Sequence, residues 1–289
     1  MKRKIIGLLA SLLLLGGCFN MNGKTEQEKA QEGTTPVQDY VGQGYSFVDG
    51  DKSAERVKKH EEEIKQEAIN YMKTKYKTDV KVNNVVPARN AAVVIVESEK
   101  PIQFHTAVIV GLTLNKDEVG SARSEEGEVE KAIVGGLYAK AYQTEFDNLD
   151  SFTEKIAKKY DLLGKRNEAI NKTSSVGYEK EYYFIATAAL DFPSVYSAYL
   201  KNQEISVDDL KVLFSKDDAL NEKMVIAMNF FSKKDSLPKQ DIVNNLAMEI
   251  QNESGLPKGS YETTVFKNLI VNRAGLPNGE SIDAKDIIK

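Results

Sequence analysis

The only cysteine in this chain, Cys18, follows a short leader in which Lys2, Arg3 and Lys4 precede a run, residues 5–15, that is apolar apart from Ser11. With no second cysteine the remainder must fold without a disulfide, and a site built from paired thiolates is excluded. At 289 residues the chain is long enough to bury an adequate core without such a cross-link. The leader has the positive and apolar regions of an export signal, whose apolar part runs to about 7–15 residues. It is too short to span a bilayer, which takes about 20 apolar residues. Beyond Cys18 the chain turns polar at once, through Asn20, Asn22, Lys24 and Glu26.

The residues Leu15, Gly16, Gly17 and Cys18 resemble the lipobox of bacterial lipoproteins. Gly16 departs from the Ala or Ser more usual at that position. The resemblance implies an S-diacylglycerol on the Cys18 thiol, palmitate-type acyl chains, and processing by prolipoprotein enzymes that remove a signal peptide over residues 1–17. It also implies a protein held on the outer, extracytoplasmic face of a cell membrane. Two acyl chains anchor stably where one myristoyl chain, at about 0.8 kcal/mol per buried methylene, binds only marginally. The alternative is a secreted protein with Cys18 as a buried core residue. Position speaks against it, because only Phe19 and Met21 are apolar nearby.

Removing the three leader cations from a chain of net charge −4 leaves about −7. Nucleic acid is therefore not expected as a partner, and contact with anionic lipid is expected only at the Cys18 anchor. Residues 18–44 are dominated by Asn, Gly, Lys, Thr, Glu, Gln and Pro, a composition expected to stay disordered as a tether. A globular domain is expected over residues 45–289, with a subdomain joint at residues 167–177.

Within that domain the period of apolar residues changes several times. Residues 51–76 carry a helical stripe through Val57, Ile64, Ala68 and Met72, and three Val- and Ile-rich strands follow at 79–86, 90–97 and 102–114, expected as an antiparallel meander. Helices are expected at 128–142, at 193–202 and at 238–253. Two more are expected to open at the capping boxes Ser151 to Glu154 and Ser206 to Asp209. Strands are expected at 178–190, 224–231 and 261–271. The class is α+β, with antiparallel sheets packed on amphipathic helices. Helix followed by strand at residues 64–86 and again at 242–271 suggests two similar lobes.

The leader, the polar segment after it, Gly42-Gln43-Gly44-Tyr45 with Asp49-Gly50-Asp51, and the stretch 76–86 together resemble an uncharacterised family of lipoproteins from staphylococci and related bacilli. The resemblance implies a Gram-positive membrane anchor facing the wall and supplies neither a reaction nor catalytic residues.

No Gly-x-Ser-x-Gly elbow, His-Glu-x-x-His pair or phosphate-cradling glycine loop occurs in the sequence. Of the two histidines, His60 lies in a run of Lys and Glu, whereas His105 lies inside a strand and is the candidate site residue. Asp49 and Asp51, Asp208 and Asp209, and Asp217 and Asp218 lack the alternating ligands of a calcium loop, so no metal or cofactor is expected. Tyr178, Tyr182, Tyr183 and Phe184 either stack on a wall polymer or face a core. The expectation is a non-catalytic binding or interaction module at the cell envelope, with an unidentified envelope partner. The alternatives are a solute-binding lipoprotein serving a transporter and an envelope hydrolase using His105 or paired carboxylates.

Overall fold

A computed structural model describes residues 33–114 and 116–289. The leader, Leu15, Gly16, Gly17 and Cys18 lie outside these residues. The first helical stretch divides: a 3-10 turn at Gly50–Ser53 leads into α1 (Ala54–Lys59), and α2 (Glu61–Tyr76) starts afresh after His60. His60 departs from helical dihedrals (φ −107, ψ 20), and its ring reaches Glu63 at 3.2 Å and Asp117 at 3.0 Å. The single helix expected over 51–76 is therefore two. Ile64, Ala68, Met72 and Tyr76 form the buried face of α2.

Strands β2 (Lys81–Ala88), β3 (Ala91–Ser98), β4 (Phe104–Leu112) and β5 (Val119–Arg123) form the expected antiparallel meander, extended by one strand. All eight residues of β3 are buried because both faces are covered. Ala92, Val94 and Val96 enter the main core, while Val93 and Ile95 pack with Tyr45 and Phe47 on the other side. Helix α3 (Glu128–Ala141) runs through the main core. Gly136 suits it there, since a Cβ at that position would come within 2.8 Å of the Gln103 carbonyl oxygen.

Helix α4 (Gln143–Tyr160) starts eight residues before the Ser151 capping box. Ser151 Oγ instead donates to the Asp147 carbonyl at 3.1 Å, in mid-helix. The apolar stripe of Phe146 and Leu149 continues through Phe152 and Ile156, and burial of that longer face outweighs the capping signal. The second box behaves as expected: Ser206 Oγ accepts from the Asp209 N–H at 3.1 Å and opens α7 (Val207–Phe214), after α6 (Pro193–Lys201). Residues 167–177, expected as a joint, contain α5 (Asn167–Thr173) and are stitched to β4 at Gly177.

The second large sheet has the order β12-β9-β8-β6, with β7 also on β8 and β13 also on β9. Its strands are β6 (Leu162–Leu163), β7 (Tyr183–Ala186), β8 (Val225–Ser232), β9 (Ser260–Phe266), β12 (Ser281–Asp283) and β13 (Ile287–Ile288). A short α8 (Leu220–Lys223) precedes β8, and α9 (Gln240–Asn252) connects β8 to β9, which run parallel. The first sheet is a sequential meander and the second is mixed, so the two halves do not share a topology and the expectation of similar lobes is corrected. One apolar core reaches from Val57 to Val265.

A third, small sheet corrects the tether. Strand β1 (Thr34–Thr35) pairs with β10 (Ile270–Val271), which pairs in turn with β11 (Leu276–Pro277). Val37 and Tyr40 are buried beside Ala169, Phe231 and Ile270. The Val37 N–H donates to Asn268 Oδ1 at 2.9 Å and the Tyr40 hydroxyl to the Asn272 carbonyl at 2.9 Å. Folded structure thus begins by residue 33, not 45. Average composition hid two apolar anchors in a polar run. No helix among the described residues is long and apolar enough to cross a membrane.

Candidate functional site

The side of the second sheet turned away from the main core forms the floor of a cleft of about 770 Å³. Strand alternation explains the division. On β8, Ile226, Met228 and Phe230 enter the main core, and Ala227, Asn229 and Phe231 line the cleft. On β9, Tyr261 and Val265 face the core, while Glu262, Thr264 and Phe266 line the cleft beside their β8 partners Ala227, Asn229 and Phe231. Phe184 of β7, opposite Ala227, extends the floor. The Phe231 and Phe266 rings lie 5.6 Å apart.

The end of α5 with residues 174–176 and 179–181 forms one wall. The β10–β11 hairpin and residues 283, 284 and 286 complete the lining. Gly275, with φ +66, brings the hairpin against α5: a Cβ there would lie 2.9 Å from Thr173 Oγ1. The left-handed backbone and this close approach both favour glycine.

Charges in the cleft are unevenly satisfied. Lys165 pairs with Glu179 at 3.3 Å, with both side chains largely buried. Lys223 is held by Asp217 at 2.5 Å, and Lys180 by Gln103 Oε1 at 3.2 Å, with its ammonium 5.3 Å from the centre of the Tyr178 ring. On the floor Glu262 lies near Asp286 and Asp283. Burial first, and then these two neighbouring carboxylates, push the Glu262 carboxyl above its ordinary value. Asp283 accepts the Thr264 hydroxyl at 2.9 Å.

His105, the candidate read from the sequence, does not line this cleft. It sits in β4 with its backbone bonded to Gly177 in both directions, at 2.9 and 3.0 Å. Its Nε2 lies 3.2 Å from Asn171 Oδ1 and 3.6 Å from Glu97 Oε2, and it is 2% exposed. Glu97 also accepts from Asn83 Nδ2 at 2.9 Å and faces Lys81 at 3.2 Å. Burial alone would raise the Glu97 pKa. The Asn83 bond, the His105 ring and the Lys81 ammonium outweigh it and bring the value below normal. This set ties α5 to the first sheet through Asn171 and links β2 to β3 through Asn83 and Lys81, while His105 Nδ1 is buried without a hydrogen-bond partner.

The tyrosine cluster divides. Tyr178 and Tyr183 pack on Phe146 at 5.6 and 6.1 Å, and Tyr182 stacks on Phe230 at 5.6 Å. Only Phe184 of the four presents a half-buried ring to the cleft from the sheet floor. Asp49 pairs with Lys52 at 2.8 Å and Arg89 at 2.6 Å, Asp209 serves its helix cap, and Asp217 binds Lys223. Among the described residues no group of three or more His, Cys, Asp or Glu could hold a metal ion. The cleft residues Ala227, Phe231, Glu262 and Phe266 escaped sequence reading. A charged residue inside a strand, Glu262, was the available signal.

Comparison with curated proteins gives no match. The fold is similar to that of a crystal structure of a DUF1672 family protein from Staphylococcus aureus subsp. aureus Mu50, with a TM-score of 0.74 and 19% identity, covering 89% of this chain and 98% of that one. A family model described as a protein of unknown function (DUF1672) matches residues 27–288. The chain belongs to the DUF1672 family.

Proposed function

We propose that this protein is a lipid-anchored, extracytoplasmic binding module that takes its ligand in the cleft on the second sheet. The cleft itself carries the reading. Its size falls within the roughly 300–1,000 Å³ of small-ligand sites, and a mostly apolar lining with a few convergent polar groups is the usual composition of such sites. The anchor rests on Leu15, Gly16, Gly17 and Cys18, with diacylglycerol on the cysteine holding the domain to the membrane. A non-catalytic role is favoured because His105, the candidate base, is buried beside Glu97 and does not line the cleft. A transporter-type solute receptor is less favoured, since the cleft lies on one sheet of a continuous core and not between two lobes.

Two experiments test the two halves of the proposal. Labelling with a fatty-acid probe is expected for the wild type and absent for Cys18→Ser; equal labelling of both overturns the anchor. For the cleft, a small-ligand screen on the purified chain is expected to give saturable binders that Ala227→Trp abolishes. Turnover of peptidoglycan or ester substrates, lost on His105→Ala, would overturn the non-catalytic reading.

A further inference from the structure

The lining of the cleft holds seven carboxylates against three lysines, so a ligand that complements it carries positive charge. The imbalance is sharper than the count, because each lysine is already engaged: Lys165 by Glu179, Lys223 by Asp217, and Lys180 by Gln103 and the Tyr178 ring. By contrast, Glu262 on the floor and its neighbours Asp283 and Asp286 form no ion pair with a described residue. The floor beside them runs along β9 from Glu262 past the polar Thr264 and Asn229 pair to an apolar end made by Phe266, Phe231, Ile270 and Leu276. Four strand residues span about 13 Å. The charged end and the apolar end therefore lie along one axis.

We infer that the cleft binds a small amphipathic cation, whose ammonium or guanidinium group sits among Glu262, Asp283 and Asp286 while its apolar body lies over Ala227, Phe231 and Phe266. This rests on the cleft being the binding site, and it names the chemistry of the occupant. A cation at that point would supply the counter-charge that Glu262 lacks. A half-buried carboxylate flanked by two others gains more from such a partner than an exposed one, because solvent screens it less. An anionic amphiphile would meet like charge at the same place and is selected against.

Titration calorimetry on the mature full-length protein with octylammonium, octan-1-ol and octanoate, which share one chain and differ in head-group charge, tests the assignment. Octylammonium is expected to bind at least about tenfold more tightly than octanoate, a difference worth about 1.4 kcal/mol. In the Glu262→Gln, Asp286→Asn double variant that preference should fall below about threefold, with octan-1-ol affinity unchanged as the sign that the cleft is still formed. Equal binding of all three probes, or a preference for octanoate, overturns the cationic assignment and leaves the cleft as a binding site. Failure of every probe to bind overturns both. A preference for octylammonium that survives in the double variant overturns the placement of the charged head.

Discussion

Glu97 and Glu262 are carboxylates within β-strands, one in each large sheet, and their surroundings move their pKa values in opposite directions. Glu97 is ringed by Asn83, Lys81 and His105 and held below its ordinary value in spite of burial. Glu262 is half-buried beside Asp283 and Asp286, and burial with those charges holds it above. Both are ionisable groups partly withdrawn from water, yet they do different work. A charge boxed by donors ties elements together. A charge without a counter-ion on the floor of an open cleft lowers the stability of the fold, which is the pattern of a binding site.

The largest expected effect breaks the boxed side of this comparison. Glu97→Leu leaves the donors of Asn83, Lys81 and His105 facing an apolar side chain, and urea unfolding should show a loss of about 4 kcal/mol, while cleft binding is retained. Unchanged stability would remove the structural role assigned to the cluster. Tyr40→Ala comes next, at about 3 kcal/mol, because it opens a cavity beside Phe231 and Ile270 where the N-terminal segment meets the end of the cleft. If residues 33–44 were a tether, this substitution would be silent. Asn171→Ala removes the contact with His105 Nε2 and should cost about 1 kcal/mol.

The smallest effect has the opposite sign. Glu262→Gln should stabilise the protein at neutral pH by less than about 1 kcal/mol once screening is allowed for. The folded state binds the Glu262 proton more tightly than the unfolded state, so the cost appears as pH rises from the ordinary carboxylate range through the raised value. The gain from Glu262→Gln should therefore vanish in acid. Glu97 runs the other way: its contribution is present above the ordinary carboxylate range and is lost as pH falls through its lowered value. Thermal melts of wild type, Glu97→Gln and Glu262→Gln between pH 3 and 8 separate the two slopes.

Local signals were legible in the sequence where one face of an element decided its place. The meander at β2–β4 follows from three Val- and Ile-rich runs, and α7 from the Ser206 cap. Signals failed where a distant partner decided. Val37 and Tyr40 look like isolated residues in a polar segment until Asn268, Ile270 and Asn272 meet them more than two hundred positions away. Ser151 carries a sound capping pattern, overruled by the apolar stripe that continues before it. Gly135 and Gly136 weaken α3 by propensity, yet Gly136 permits the approach to Gln103. The cleft was hidden for the same reason: its floor exists only when β8 and β9 pair in parallel across α9. His105 drew attention as a strand histidine, and sequence could not show the bonds that enclose it.

Amide NMR during a titration with octylammonium tests the central claim most directly. Shifts centred on Ala227, Asn229, Glu262 and Thr264, with His105 and Glu97 left unmoved, are expected. Shifts centred on His105 and Glu97, with the second sheet silent, would contradict it.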